Sequence, residues 1–570
     1  MKRWGFCGLA FIVATLVLIW PLAGPAWADS TWVCDPNTAG DWNDPNNWSP
    51  NVPGAGNNAC IDNGGTASIS GGSINVNYLY DGNSFTGSIN QSGGTNIVGH
   101  TFYLGYRTGS HGTYSLSDGS LNTGKYEYYV GYEGTGTFLQ SGGTYTTTGD
   151  LYLGYQTGSS GTYTLSGGSL GTKSCSMARN GDGAFIQTGG TYVVTNALSV
   201  GEEYYGEGNG TYNLSGGSLR TGGCNIVSDA GTMAFNQSGG THTVEGELNV
   251  ESSNVYHGSV GVRRYNLSDG LLSISSNQCV GKIGVGIFNQ SGGTNSVGGS
   301  LYVGGSISDG SYGVYELTGG SLTVAGSIVL TGGEYGTAEF YLDKAAYVRA
   351  GGLVLNASYW SSFWQFTKMS MEIDADGHSL IQTTGSATLA GLLDLQSLHS
   401  YRPNQGDTFT LITSTDMSGN FGIITSNLVN TDPNRNVMGL LIRDANATDP
   451  NLKYWSAFRG AAVGTNYVVT FQGAMAGDAT ANNVVDGSDF GAMARNWGQS
   501  GKIWTDGDFN GDGTVDSTDF GAMARNWGLT GLTPAAAPMD APIPEPAILV
   551  LLTTGSLALL RRRRAAPRSA

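Results

Sequence analysis

A chain of 570 residues with 92 glycines and only 12% charged side chains is too rich in turn formers for a helical protein and points to repetitive β-structure. The formal charge is −17, and setting aside the seven basic residues near the two termini leaves about −24 on the body. Such a surface repels nucleic acid and suits divalent cations.

At the start, Lys2 and Arg3, the apolar run from Leu9 to Trp20 and the small residues of Ala26-Trp27-Ala28 have the layout of a secretory signal peptide over 1–28. The mature chain is therefore expected to begin at Asp29, outside the cytoplasm. Residues 29–75, with Trp42, Trp48 and Val52-Pro53-Gly54, break the pattern that follows and read as an N-terminal cap, which an open strand edge requires. Cys34 and Cys60 flank the loops of this segment and are candidates for a disulfide in an exported chain.

From 76 to 358 the sequence repeats itself. Gln-Ser/Thr-Gly-Gly-Thr recurs at Gln91, Gln140, Gln187, Gln237 and Gln290, and a Leu-Ser/Thr-Gly/Asp-Gly version falls midway at Leu116, Leu165, Leu214, Leu267 and Leu317. Each half-repeat of about 25 residues contains short alternating strands separated by Gly turns, so each reads as one coil of a parallel β-solenoid. A coil this short cannot bury a face alone, whereas coils stacked at ~4.8 Å share a core; about ten would extend on the order of 50 Å. A β-sandwich array or a propeller is the competing architecture, and the coils are short for a four-stranded blade.

Alternation turns Tyr163, Leu165 and the repeat glutamines inward. A buried Gln amide is then expected to bond the backbone of the adjacent Gly-Gly corners. Cys175, Cys224 and Cys279 stand at similar distances before a Gln and read as small packed hydrophobes at one repeat position. Beyond Ser358 the repeat fades, and 359–472 reads as a second, non-repetitive β region or C-terminal cap.

The next segment has a different chemistry. Asp508, Asn510, Asp512, Thr514, Asp516 and Asp519 occupy positions 1, 3, 5, 7, 9 and 12 of a calcium loop, Thr514 through its carbonyl, with Gly513 at the sharp turn. Thirty residues earlier Asp478, Thr480, Asn482, Val484, Asp486 and Asp489 repeat the spacing with one carboxylate fewer, which predicts weaker binding. Each loop runs into the same decapeptide, Asp-Phe-Gly-Ala-Met-Ala-Arg-Asn-Trp-Gly, predicting two helices that pack Phe490, Met493, Ala494 and Trp497 against Phe520, Met523, Ala524 and Trp527. So small a core is expected to need calcium to fold.

A duplicated calcium loop followed by one helix resembles a dockerin, over 477–528. That resemblance implies docking to a cohesin-like protein, with loop positions 10 and 11 among the contacts: Ser488 in the first loop, beside Gly487, and Ser517 and Thr518 in the second. Gly487-Ser488 departs from the family's pattern, which counts against symmetrical binding; a calcium-stapled spacer is the plainer alternative.

After a linker over 529–543 come Pro544, Glu545 and Pro546, the apolar run Ala547 to Leu560, and Arg561, Arg562, Arg563 and Arg564. The run reads as a short C-terminal hydrophobic helix with the arginines on the cytoplasmic side. The three parts in this order, over 544–564, resemble a PEP-CTERM sorting signal, which implies processing by an exosortase and placement at the cell surface, often with exopolysaccharide. The alternative is a simple membrane anchor. With the Gly-Gly repeats, the whole chain resembles autotransporter-like β-solenoid surface proteins carrying a dockerin-like module.

Chemistry on the solenoid would need convergent groups on neighbouring coils. Asp118, Glu202, Glu203, Glu245 and Glu251 are scattered, Lys125, Arg179, Arg263 and Arg264 do not pair with them in the sequence, and no nucleophile motif stands out. Tyr106, Tyr132 and Tyr155 follow the strand Gly in three successive coils and form a candidate column for stacking on sugars, or a ladder that only shields coil edges. No regular Thr-x-Thr column suggests an ice-binding face. The sequence thus favours a non-enzymatic exported surface or matrix protein, a solenoid for structure or adhesion with calcium-dependent docking. A glycan-binding or polysaccharide-degrading β-helix is the alternative.

Overall fold

Alternating burial along strands, many of three to six residues and some running through a corner to 13, is what builds the fold. In Ser160–Leu165, for example, Gly161, Tyr163 and Leu165 are buried and the residues between them are not. The computed structural model describes residues 30–36, 38–201, 208–228, 231–251, 261–305, 311–332, 336–357, 367–399, 401, 403, 407–426, 458–471, 477–480, 485–502, 506–509 and 513–528. The segments expected to be a signal peptide, a linker and a sorting tail with a hydrophobic helix lie outside them, and no helix among the described residues is long and apolar enough to cross a membrane. The chain divides into two compact units, Met1–Gly473 and Ala474–Ala570.

The first unit is a parallel β-solenoid of about 13 turns. Each coil contributes a strand to each of three parallel ladders, as where Thr135–Gln140, Thr144–Thr147 and Asp150–Leu153 are succeeded by Ser160–Leu165, Ser169–Thr172 and Ser174–Met177. The first ladder carries an inward file in which Tyr and Phe alternate from Tyr114 to Phe340, with ring centroids 4.6–5.3 Å apart. Two residues further along each strand, Gln and Leu alternate in the same way.

These two files explain why the repeat is two coils long. Each tyrosine of the ring file donates its hydroxyl to the glutamine of the preceding coil: Tyr163 to Gln140 at 2.6 Å, Tyr212 to Gln187 at 2.6 Å, Tyr265 to Gln237 at 2.6 Å, Tyr315 to Gln290 at 2.7 Å, and Tyr114 to Gln91. The amide of the same Gln donates to the backbone just past the next coil's glycine corner, as from Gln140 to Ser169 O at 3.0 Å, and more distantly to its own corner at Gly143 O, 3.4 Å. A Tyr coil therefore needs a Gln coil beneath it, and the Gln coil places Phe, which asks for no partner, in the ring file. The expected amide-to-corner bond is present, and the Gln carbonyl takes a second partner, the tyrosine hydroxyl, that the spacing does not announce.

The corners themselves dictate glycine. Gly168 has φ +78°, and a Cβ there would come within 2.4 Å of the carbonyl oxygen of Gly143 in the coil below.

At the N-terminal end Trp32, Trp42 and Trp48 form a buried cluster, with Trp32–Trp48 and Trp42–Trp48 centroids 5.0 and 4.7 Å apart, and Trp48 Nε1 donates to Trp42 O at 2.7 Å. The ladder already begins here, since Ser30–Trp32 pairs in parallel with Ala59–Ile61 while Trp48–Ser49 closes its other edge antiparallel. The disulfide candidate is not formed: Cys34 and Cys60 are free thiols, Cys34 lying against Thr38.

Past 358 the structure departs from the expected second region. Parallel pairing continues from Thr337–Leu342 to Thr367–Asp374, Leu392–Ser397 and Ile423–Ser426. Met369, Met371, Leu393 and Leu395 keep the inward alternation although the Gly-Gly signature has gone. Gly377–His378 folds back antiparallel on Thr367–Asp374, and at the end Thr408–Thr413, Asn466–Phe471 and Phe458–Val463 pair antiparallel, the first still in parallel with Ile381–Thr383. The cysteines need one correction as well. Cys175 and Cys224 share the inward place, but Gln278 takes it in the later coil, so Cys279 stands one residue out of register. Burial pushes the Cys175 and Cys279 thiols up to about 12, which leaves them inert at neutral pH.

Candidate functional site

In the second unit α1 (Gly487–Asn496) and α2 (Ser517–Asn526) each begin with a capping box. Asp486 accepts from the backbone N–H and hydroxyl of Ser488, at 2.7 and 2.6 Å, and Asp489 reaches back to the Asp486 N–H at 2.9 Å. Asp516, Thr518 and Asp519 repeat the arrangement. The Ser488 and Thr518 hydroxyls hold the Asp486 and Asp516 carboxyls below the usual carboxylate range. The two halves are cross-tied, Gly498 N–H to Val515 O and Gly528 N–H to Val485 O, each at 2.8 Å.

Of the candidate calcium ligands, Asn482, Val484, Asn510 and Asp512 lie outside the described residues. The first and last carboxylates of both loops, Asp478, Asp489, Asp508 and Asp519, are buried. Asp489 Oδ1 accepts from the N–H and hydroxyl of Thr480, both at 2.8 Å, and Asp508 Oδ2 from Gly513 N–H at 2.8 Å. Thr514 and Asp516 stand beside them at the loop exit. These carboxylates and Thr480 are oxygen donors of the kind calcium takes. Among the described residues no three acidic, His or Cys side chains converge as a metal cluster.

The helix faces do not sort as the sequence suggested. Met493 and Met523 are buried with Ala479, Val485, Ala492, Phe509 and Val515, whereas Phe490, Trp497, Phe520 and Trp527 are 42–52% exposed. Positions 490, 494 and 497 lie on one side of α1, and Asp489, Ala492 and Met493 on the other. Phe490, Ala494, Trp497 and Phe520 line an open cavity of about 360 Å³, and Phe490 packs against Phe520 and Trp527 with centroids 6.2 and 6.4 Å apart. Ser488, Ser517 and Thr518, the candidate partner contacts, are exposed as well.

On the solenoid, Tyr106, Tyr132 and Tyr155 do form a file, with centroids 5.3 Å apart at both steps. They belong to a larger field. Tyr80, Tyr103, Tyr129 and Tyr152, the outward residues of successive strands in the third ladder, stack at 5.2, 5.2 and 5.3 Å. The first file packs edge-on against this one, Tyr103–Tyr106 at 4.7 Å and Tyr129–Tyr132 at 5.0 Å. Along its other side run Tyr78, His100 and Tyr126, 4.2 and 3.7 Å apart. Burial, then the neighbouring tyrosines, raises the Tyr103 hydroxyl, and burial, then Asp150, pushes Tyr152 up to about 12, so both stay uncharged at neutral pH. The alternation in Phe102-Tyr103-Leu104 and Leu151-Tyr152-Leu153 carried the signal for the missed file.

The candidate acids and bases stay apart. Asp118 caps its own corner, Glu245 pairs with Arg220, Glu251 accepts from Ile283 N–H, and Arg263 is buried against Gly261 O and Ser228 O. Arg179 lies over the Tyr155 ring, 4.7 Å from its centroid. Glu202 and Glu203 lie outside the described residues. A convergence the sequence did not announce links Lys344 to Asp374 at 2.6 Å and to Asp376, with His399 Nδ1 2.8 Å from Asp374. Lys344 first and His399 next hold the Asp374 carboxyl well below its ordinary range, which makes it a poor general base. The cluster ties the 374–377 turn to the preceding coil.

Comparison with family models, curated proteins and solved structures returned no match to the chain.

Proposed function

We propose that this chain is an exported, non-catalytic surface or matrix protein in which a β-solenoid is attached to a larger assembly through a calcium-folded, dockerin-like module. The observation that carries the reading is the duplicated module itself: two capped loop-helix halves, cross-tied, that turn an aromatic face outward beside exposed Ser488, Ser517 and Thr518. Large aromatic side chains left out of a small core are what a docking hot spot is made from. In this reading calcium is held by Asp478, Thr480, Asn482, Val484, Asp486 and Asp489 and by Asp508, Asn510, Asp512, Thr514, Asp516 and Asp519, and its binding fixes the helices that present the face. The PEP-CTERM-like tail, acted on by an exosortase, supplies the surface address.

The test is binding of the purified chain to a panel of immobilised cohesin domains, with calcium and with chelator. Calcium-dependent capture that Trp497→Ala with Trp527→Ala abolishes supports docking. Calcium binding without capture reduces the module to a stapled spacer.

The alternative, a polysaccharide-binding or polysaccharide-degrading β-helix, draws support for its binding half from the tyrosine field.

A further inference from the structure

We propose that the tyrosine field of the third ladder is a platform for an extended, neutral polysaccharide chain lying along the solenoid axis, about one sugar per coil. The inference does not depend on the docking module, because every ring belongs to the solenoid unit.

The ladder does not require these rings. At the position of Tyr80, Tyr103, Tyr129 and Tyr152 the following coils place Ser176, Ser199, Asn225 and Asn249, and the parallel pairing runs on unchanged. The inward tyrosines of the first ladder, by contrast, are each pinned by a glutamine. The outward file is partly covered, with Tyr80 and Tyr129 buried by their neighbours and Tyr106, Tyr132 and Tyr155 half-buried at its outer side; an aromatic cluster gathered in a few coils, where Ser or Asn serves the fold equally well, marks a surface kept for a ligand.

The chemistry of the rings selects the ligand. The three files are composed of Tyr and His alone; Phe102 and Phe138 point inward, and the one exposed phenylalanine described in these coils, Phe85, stands outside the files at the corner after Tyr80. Each outward tyrosine thus pairs an apolar ring with a hydroxyl, the combination that suits a sugar, whose faces are apolar and whose rim is hydroxylated. A greasy protein partner would be met by Phe, Leu and Trp, as on the second unit. The rim of the field carries Arg107, Lys125 and Arg179 as well as Glu127 and Glu133, so no single sign of charge favours an ionic polymer.

Spacing fixes the direction. Ring centroids repeat every 5.2–5.3 Å along the axis, close to the length of one pyranose unit in an extended 1,4-linked chain. Because the ladder spacing of ~4.8 Å exceeds the ~3.5–4.0 Å contact distance between carbon atoms, rings of a file touch only when offset; Tyr80 and Tyr129 are covered by their neighbours, whereas Tyr106, Tyr132 and Tyr155 keep part of their surface open. The edge-on contacts from Tyr103, Tyr129 and Tyr152 hold Tyr106, Tyr132 and Tyr155 in place beforehand, and pre-ordered rings lose little entropy on binding.

The test uses the full chain in chelator, so that the calcium module contributes nothing. Its mobility is measured in native gels cast with hydroxyethylcellulose, and its affinity for cello-oligosaccharides of two to six sugars by calorimetry. Affinity is expected to rise with each sugar up to three or four and then level off. Tyr132→Ser should weaken binding several-fold, and Tyr106→Ser, Tyr132→Ser and Tyr155→Ser together at least tenfold, with circular dichroism and the melting of the solenoid unchanged. Absence of binding to any neutral chain, binding that ignores length, or a triple variant that binds as well as the parent would each overturn the proposal. So would equal retention of polygalacturonate by parent and triple variant at strengths above that of the neutral chains, which would assign the surface to charge.

Discussion

The pair of Tyr212 and Gln187 shows how much of the fold rests on single buried polar groups. Tyr212→Phe leaves the Gln187 carbonyl without its 2.6 Å donor in a dry interior, a loss expected to cost about 1–3 kcal/mol. Adding Gln187→Leu removes the stranded group and reproduces the Phe and Leu found elsewhere in these files, so the double variant should recover most of the loss in a denaturant-midpoint cycle; a strictly additive double loss would refute the pairing. His242 offers a second residue-level test. It fills a place that Leu219 and Leu272 occupy in neighbouring coils, lies between Thr221 and the Tyr265 hydroxyl, and burial depresses its pKa to about 3. The depressed value means that the unfolded chain takes up a proton first. Stability is therefore unaffected above about pH 6.5 and falls as pH drops from there toward 3, by about 3 kcal/mol at pH 4 on this group alone. His242→Leu should flatten that part of the stability profile, and an unchanged slope would show that the imidazole is not buried as described.

At the scale of an element, the corner turns test whether the repeat is set by conformation or by crowding. Gly158 and Gly168 have nearly the same backbone, φ +80° and +78°, but a Cβ on Gly158 meets nothing within 4 Å while one on Gly168 strikes the coil below. Gly158→Ala should cost only the left-handed penalty of about 1 kcal/mol, and Gly168→Ala at least twice that, read as a shift in thermal midpoint. Equal losses would mean that the coils are not stacked this closely. This also explains what was legible. Gly-Gly corners and alternating strands announce coils because each coil must meet its neighbours at the same few places. The outward files are written only as the second letter of short strands, as in Phe102-Tyr103-Leu104, and the exchange of Cys279 for Gln278 is a one-residue slip that spacing alone does not resolve. The helices misled for a related reason: Phe490 and Trp497 look like core by composition, yet the buried side of α1 is set by Asp489, which must turn into its loop.

For the chain as a whole, the two units differ in what holds them. The solenoid's apolar core is one continuous cluster from Trp32 to Val469, whereas among the described residues of the second unit seven apolar side chains are buried together, with four buried carboxylates beside them. The continuation of the ladders past 358 was not legible because stacking on an existing coil supplies the edge that a strand needs, so later coils can drop the glycine signature and keep only alternation. The second unit has no such template, and seven apolar residues fall short of the ordering cost of a segment of about 50 residues. In the proposed reading calcium supplies the difference, since closing the loops around a cation would neutralise the buried carboxylates and fix both helix starts at once. Calorimetry of the whole chain in calcium should accordingly show two transitions. A chelator should remove the smaller one or bring it below ambient temperature while leaving the solenoid's transition in place, and calcium at a hundredfold excess over its dissociation constant should restore about 2.7 kcal/mol per site. Asp519→Ala should have the chelator's effect on the second loop alone. If both transitions persist unchanged in chelator, the module is held by its own packing, and the cation is not what places Phe490, Trp497, Phe520 and Trp527 on its surface.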